Sequence, residues 1–226
     1  MRRSEVNRLQ REALDLFGAF RFSLPRWATW RNADWRDHPD TAAYCRAHQM
    51  GWDVTDFGSG DFLRRGLLVF CIRNGLQSAP QEKGYAEKLL VVRENQETPL
   101  HSHRVKLEDI IVRGGGSLVL EFFNNDGDGG RLGTPVTVLV DGERTVLSAG
   151  EPLRLRPGQS VTVPRGLWHR FYAEAGTGTS LVGEVSQVND DFTDNCFLEP
   201  LGRFAAIEPD EAALHPLWSE LPVPVG

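Results

Sequence analysis

His101-Ser102-His103-Arg104-Val105-Lys106-Leu107-Glu108 sets two histidines one residue apart and a carboxylate shortly after them. Successive side chains of an extended segment alternate faces, so His101 and His103 point to the same side and reach a common point. Residues 104 to 107 form a loop that returns Glu108 to it. Imidazole and carboxylate together suit a divalent first-row metal that keeps coordination positions open for a substrate, and zinc, manganese, iron and nickel all fit. Some sixty residues on, Gly158-Gln159-Ser160-Val161-Thr162-Val163-Pro164-Arg165-Gly166-Leu167-Trp168-His169 brings a further histidine out of a strand and a turn. Three of the six histidines therefore lie in two short segments; His38, His48 and His215 have no such context and are expected to be structural or surface residues.

Around these segments the chain reads as short β-branched and leucine-rich runs separated by turn chemistry. The predicted strands are 67–72, 89–93, 109–112, 117–123, 136–140, 144–147, 160–163, 168–172 and 181–185. Asn74-Gly75, Gly114-Gly115-Gly116, Asp141-Gly142, Pro157-Gly158 and Gly176-Thr177-Gly178 supply the turns between them. Many short strands at even spacing indicate an all-β antiparallel sandwich or double-sheet barrel.

Before the strands, Val6, Leu9, Ala13, Phe17 and Phe20 recur at three- and four-residue intervals, which predicts an amphipathic helix over 5–20 with Ser4 as its N-cap and Pro25 as its stop. Four of the six tryptophans fall before residue 60, and a short helix opened by Asp40 is expected over 40–50. Residues 1–60 thus read as a helical, Trp-rich extension packed on a barrel of residues 61–226, whose last forty residues wrap it with a short helix over 209–214.

Composition limits the function classes. The 226 residues carry 25 Lys+Arg against 31 Asp+Glu, a net charge of −6, and no run of basic residues longer than two, so nucleic acid is not expected as a partner. No apolar run approaches the length of a membrane span, and the amino-terminal segment lacks the apolar core of a signal peptide. Cys45, Cys71 and Cys196 are widely separated without a C-x-x-C pair, as expected of reduced thiols in a cytoplasmic protein.

The two histidine segments resemble the two motifs of the cupin superfamily. His101, His103, Glu108 and Gly115 match H-x-H-x4-E-x6-G, and Gly158, Pro164, Gly166 and His169 match G-x5-P-x-G-x2-H. Asn95 and Ala173 depart from the usual flanking Gly and Asn, and neither removes a ligand. The resemblance implies a cupin double-stranded β-helix, a jelly-roll barrel, with His169 as fourth metal ligand.

Longer stretches are similar to the D-lyxose isomerase family. They are Glu87-Lys88-Leu89-Leu90-Val91-Val92-Arg93-Glu94-Asn95-Gln96, Thr98-Pro99-Leu100-His101, Lys106-Leu107-Glu108-Asp109-Ile110-Ile111 and Gly114-Gly115-Gly116. Near the carboxy terminus Glu184-Val185-Ser186-Gln187-Val188-Asn189-Asp190-Asp191, Thr193-Asp194-Asn195 and Glu199-Pro200-Leu201-Gly202-Arg203-Phe204 continue the likeness. It implies a Mn²⁺-dependent isomerase of D-lyxose and D-xylulose, with D-mannose and D-fructose as a second pair, working by cis-enediol proton transfer. It also implies Glu199 as base, Lys106 as the partner that stabilises or protonates the sugar oxygen, and Lys88, Glu184, Asp190 and Arg203 as sugar contacts. Trp168, beside His169, offers an apolar face for the sugar. A lysine near a divalent cation is expected to have its ammonium form disfavoured.

A homodimer, the commonest closed oligomer, is the expected assembly. The alternatives are a phosphosugar isomerase or an Fe²⁺ dioxygenase on the same ligands, or a sugar-binding cupin without turnover. The lack of a basic cluster in the sequence weighs against the phosphosugar, and the presence of both Lys106 and Glu199 weighs against a pure binder.

Overall fold

A computed structural model describes residues 1–79 and 81–222. Three helices, α1 (Arg3–Ala19), α2 (Asn32–Asp37) and α3 (Pro39–Ala47), precede the strands. The strands are β1 (Gly51–Thr55), β2 (Leu67–Arg73), β3 (Tyr85–Val92), β4 (Thr98–His103), β5 (Glu108–Gly115), β6 (Leu118–Asn125), β7 (Arg131–Leu132), β8 (Val136–Val140), β9 (Glu143–Leu147), β10 (Leu153–Leu155), β11 (Ser160–Val163), β12 (Trp168–Ala173), β13 (Ser180–Gln187) and β14 (Asn195–Phe197). They form two antiparallel sheets, ordered β1-β2-β3-β13-β5-β11-β8-β9 and β10-β6-β12-β4-β14, with β7 paired to β6.

The main core lies between the sheets, where alternate residues such as Leu90 and Val92 of β3, Ile110 and Val112 of β5 and Leu118, Leu120 and Phe122 of β6 meet. A second core explains why β2 and β3 read as continuous apolar runs. Their other faces, Leu68, Phe70, Leu89 and Val91, are covered by Val6, Leu9, Ala13 and Phe17 of α1. A strand buried on both sides loses the polar half of its alternation.

The carboxy-terminal segment ties down α1. Asp210 accepts hydrogen bonds from the Ser4 N–H and hydroxyl, and Asn7 bonds Glu211, the Ala212 carbonyl and the Leu214 N–H. These contacts correct three expectations. Ser4 lies inside the first turn, which starts at Arg3, and Asp210 satisfies the donor an N-cap would have taken. Residues 209–214 form bends, because α1 side chains take the backbone groups a helix would use; a single 3-10 turn follows at Trp218–Glu220. The helix also ends at Ala19, before Pro25, where Arg21 turns left-handed at φ 56° and the Phe22 N–H donates to the Phe17 carbonyl.

Strands β1, β4, β7, β10 and β14 have no counterpart among the predicted runs: four are two to five residues long with mixed composition, and β4, which carries His101 and His103, was expected only as an extended segment. Residues 1–60, expected to be helical, thus also contribute an edge strand. Asn95, in place of the usual motif glycine, adopts φ 56°, a conformation that Asn tolerates better than most residues. Gly115 admits no such replacement: at φ 78° a Cβ would stand 2.1 Å from the Thr179 carbonyl oxygen.

Candidate active site

His101 and His103 leave one face of β4, His169 stands opposite His101 on β12, and Glu108 opens β5. All four are buried, and their ligating atoms lie within 4.8 Å of one another. Local backbone sets the rings. His101 Nδ1 lies 2.8 Å from the Pro99 carbonyl oxygen and His169 Nδ1 lies 3.0 Å from that of Leu167. A carbonyl can only accept, so each Nδ1 carries the hydrogen and the neutral ring presents a lone pair at Nε2. His169 Nε2 is buried without a hydrogen-bond partner, yet lies 3.0 Å from Glu108 Oε1, and His103 Nε2 lies 3.3 Å from the same oxygen. A ring lone pair facing a carboxylate oxygen is repulsive until a cation lies between them. The residues therefore fit a divalent metal ion.

Electrostatics agree with ligation. Burial pushes His101 well below the usual imidazole range and His103 below it, favouring the neutral rings that bind metal. Burial alone would raise the Glu108 carboxyl; Lys106 and His103 overcome this and hold it well below the usual range.

Behind this cluster lies a buried network of acids and lysines. Lys88 of β3 and Glu184 of β13 are register partners, 3.1 Å apart at Nζ and Oε1. Lys106 Nζ contacts Glu184 Oε1 at 2.7 Å and Glu108 Oε2 at 3.0 Å. Asn189 Oδ1 accepts from Lys88 at 2.7 Å and Lys106 at 3.1 Å, and the Ser186 hydroxyl donates to Glu184 Oε1 at 3.0 Å. Burial would lower the Lys106 ammonium, but the Glu108 and Glu184 carboxylates raise it above the usual lysine range. The expected disfavoured ammonium is thus reversed by two carboxylates, Glu108 two residues on in the chain and Glu184 brought up by β13. Burial would raise Glu184, and Lys106 and Lys88 lower it.

Asp194 holds the turn that delivers Lys106. Its carboxylate accepts from the Val105 N–H at 2.6 Å and the Lys106 N–H at 3.3 Å, and stands 3.8 Å from His103 Nδ1.

A cavity opens onto these groups. Its polar side carries His101, His103, Glu108, Lys88, Lys106, Glu184, Asn189, Asp191 and Arg203; its apolar side includes Phe57, Phe171 and Phe197. Arg203 Nη2 pairs with Asp53 at 2.6 Å and Asp191 at 3.0 Å. Three expected site residues stand elsewhere. Trp168 is buried with its indole donating to the Gly130 carbonyl, because alternation along β12 turns it away from the face of His169. Asp190 accepts from Gln49, the Phe192 N–H and Thr193, shaping its own loop. Glu199 follows Leu198, whose N–H continues the β14 pairing to Leu100; its side chain is 61% exposed and pairs with Arg65 at 2.9 Å, outside the cavity lining. Sequence reading missed Asn189, Asp191 and the three phenylalanines. The i, i+2 spacing of Asn189 and Asp191 just past β13 was the available signal.

The D-lyxose isomerase family profile matches residues 1–221. The chain belongs to the D-lyxose isomerase family. This family member is 45% identical to the D-lyxose/D-mannose isomerase of Escherichia coli O157:H7 over 223 residues, 97% of this chain and 98% of the relative. It is also 45% identical to the D-lyxose/D-mannose isomerase of Serratia proteamaculans, over 96% of this chain and 95% of that one. Among solved structures, the L-ribose isomerase of Acinetobacter sp. DL28 in complex with L-ribose superposes with a TM-score of 0.62 at 18% identity, covering 92% of this chain and 98% of that one. The L-ribose isomerase of Cellulomonas parahominis with L-ribose gives 0.58 at 21% over the same shares. These likenesses establish the cupin fold. As a D-lyxose isomerase family member the chain is a sugar aldose–ketose isomerase. Among the described residues no helix is long and apolar enough to cross a membrane.

Proposed function

We propose that this isomerase interconverts D-lyxose with D-xylulose and D-mannose with D-fructose, with manganese as the ion held by His101, His103, Glu108 and His169. The relatives named for D-lyxose and D-mannose support the substrates. The two aldoses share their configuration at C2, C3 and C4, so one set of contacts near the reacting end serves both. When bound, the ion supplies a Lewis acid that stabilises negative charge on the sugar oxygens.

The observation that carries the reading is Glu184, a buried carboxylate in the cavity beside the ligand set. Its Oε1 already accepts from Lys106, Lys88 and Ser186, whereas Oε2 has only Lys88 at 3.4 Å, which leaves Oε2 to take a proton. In the proposed reaction Glu184 removes the C2 proton while the Lys106 ammonium protonates the C1 carbonyl oxygen, giving a cis-enediol. Glu184 then returns its proton to C1 as the O2 proton passes to Lys106 and the ketose forms. Lys88 and Asn189 hold the pair in place, Arg203 and Asp191 meet the distal hydroxyls, and the phenylalanines exclude water and so strengthen every charge interaction. This assigns to Glu184 the base role that family resemblance gave to Glu199, and leaves Glu199 as the tether to Arg65.

A phosphosugar is disfavoured because Lys88, Lys106 and Arg203 are each matched by carboxylates. A binder without turnover is disfavoured because it has no use for the Glu184–Lys106 proton pair. The three free thiols support a reducing, cytoplasmic setting, and a homodimer is the proposed assembly. The test is ketose formation from D-lyxose, D-mannose, L-ribose and D-glucose by metal-stripped protein with and without Mn²⁺. Metal-dependent turnover fastest on D-lyxose or D-mannose is expected; folded, Mn²⁺-loaded protein that converts none of the four overturns the proposal.

A further inference from the structure

Strand β4 carries a bulge where it faces the cavity. On β12, His169 and Phe171 are two residues apart, but their register partners on β4, His101 and Thr98, are three apart. The extra residue falls at Pro99–Leu100. Register partners share a face of the sheet, so Thr98 is brought to the face of Phe171 and both line the cavity. In a regular strand Thr98 would lie on the face opposite His101. Proline suits the bulge, since it has no N–H to leave unpaired, and its carbonyl takes the His101 Nδ1 hydrogen.

Thr98 is 2% exposed, and its hydroxyl is buried without a hydrogen-bond partner. Valine has nearly the same shape, suits a strand equally well and carries no unmade bond, so threonine here makes the sugar-free protein less stable than it need be. The residue lines the cavity in which the sugar is proposed to bind, and a sugar hydroxyl is a partner of the right chemistry.

We propose that Thr98 is a substrate-binding residue of this isomerase: its Oγ1 hydrogen-bonds a hydroxyl of the open-chain sugar beside His101. The inference rests on the sugar-isomerase reading above. A site built to bond a hydroxyl discriminates strongly against ligands that lack it, because its own polar group is then left unpaired.

The experiment compares wild type, Thr98→Val and Thr98→Ser as full-length, Mn²⁺-loaded proteins, measuring kcat and KM for D-lyxose and D-mannose and the Tm without sugar. For Thr98→Val a roughly tenfold lower kcat/KM is expected, with a Tm equal to wild type or a few degrees higher; Thr98→Ser keeps near wild-type kinetics. Wild-type kcat/KM in Thr98→Val overturns the inference, and so does a loss accompanied by a lower Tm that Thr98→Ser does not rescue, which marks a packing role. Where wild type binds D-lyxose by calorimetry without converting it, the isomerase reading fails alone and a tenfold weaker Kd in Thr98→Val still supports Thr98. Where wild type neither binds nor converts either sugar, both readings fall.

Discussion

Replacing Glu184 with glutamine removes one negative charge and the capacity to take up a proton while keeping the size of the side chain. Its amide oxygen can still accept from Lys106 and Lys88, whose Nζ atoms lie 2.7 and 3.1 Å from Oε1. General acid–base catalysis is worth about 10²–10⁴ in rate, or roughly 3–5 kcal/mol of barrier at about 1.4 kcal/mol per decade. Glu184→Gln is therefore expected to lower kcat by about a thousandfold with little change in KM. The same substitution leaves the buried Lys88 ammonium without a carboxylate at ion-pair distance and Lys106 with Glu108 alone, which costs about 3 kcal/mol and roughly 10 °C in Tm. Kinetics belong at 25 °C, with Tm and metal content as controls. Glu199→Gln is the matched comparison: it breaks an exposed pair with Arg65, worth about 0–1 kcal/mol, and is expected to keep kcat within about threefold of wild type. Loss of turnover in Glu199→Gln together with its retention in folded, metal-loaded Glu184→Gln refutes the assignment.

Three further outcomes follow from the same geometry. Mn²⁺ at a hundred times its Kd is expected to stabilise the protein by about 2.7 kcal/mol, a rise of roughly 5–10 °C in Tm; His169→Ala, which removes a ligand, should abolish the rise in differential scanning fluorimetry. Metal-free protein is expected to lose stability as pH falls below 6.5: the unfolded chain then binds protons that buried His101 and His103 refuse, and below 4.5 Glu108 and Glu184 add to the loss. A Tm that stays flat from pH 7.5 to 5 contradicts this. Asp194→Ala frees the Val105–Lys106 turn and leaves no carboxylate near His103 Nδ1, so Mn²⁺ affinity measured by calorimetry is expected to fall about 10–100-fold.

His101, His103 and Glu108 were legible in the sequence because alternation and one short loop bring them together locally, whereas His169, some sixty residues on, joined them only through the resemblance to cupins. The sheets were legible for a related reason: runs such as 67–72 and 181–185 carry their own pattern. What escaped depends on partners distant in the chain. The ion pairs of Glu184 with Lys88 and Lys106 follow from β3, β5 and β13 lying side by side, which no local spacing announces. Glu199 and Glu184 are equally plausible carboxylates in one dimension; one is turned outward to Arg65 and the other lies on the inward face of a strand. Thr98 was masked by its bulge, since strict alternation assigns it to the wrong face.

Strand β1 has a consequence for when the enzyme becomes active. Its Asp53 holds Arg203 from 150 positions earlier in the chain, and Asp191 completes the clasp. The wall of the cavity is thus closed by residues from near both ends of the polypeptide. During synthesis the two sheets can begin to pair while the ribosome is still extending the chain, but the pocket is finished only after residue 203 has emerged from the exit tunnel. A protein cut short between Asp191 and Arg203 would keep Asp53 and Asp191 as two neighbouring acids without their shared cation.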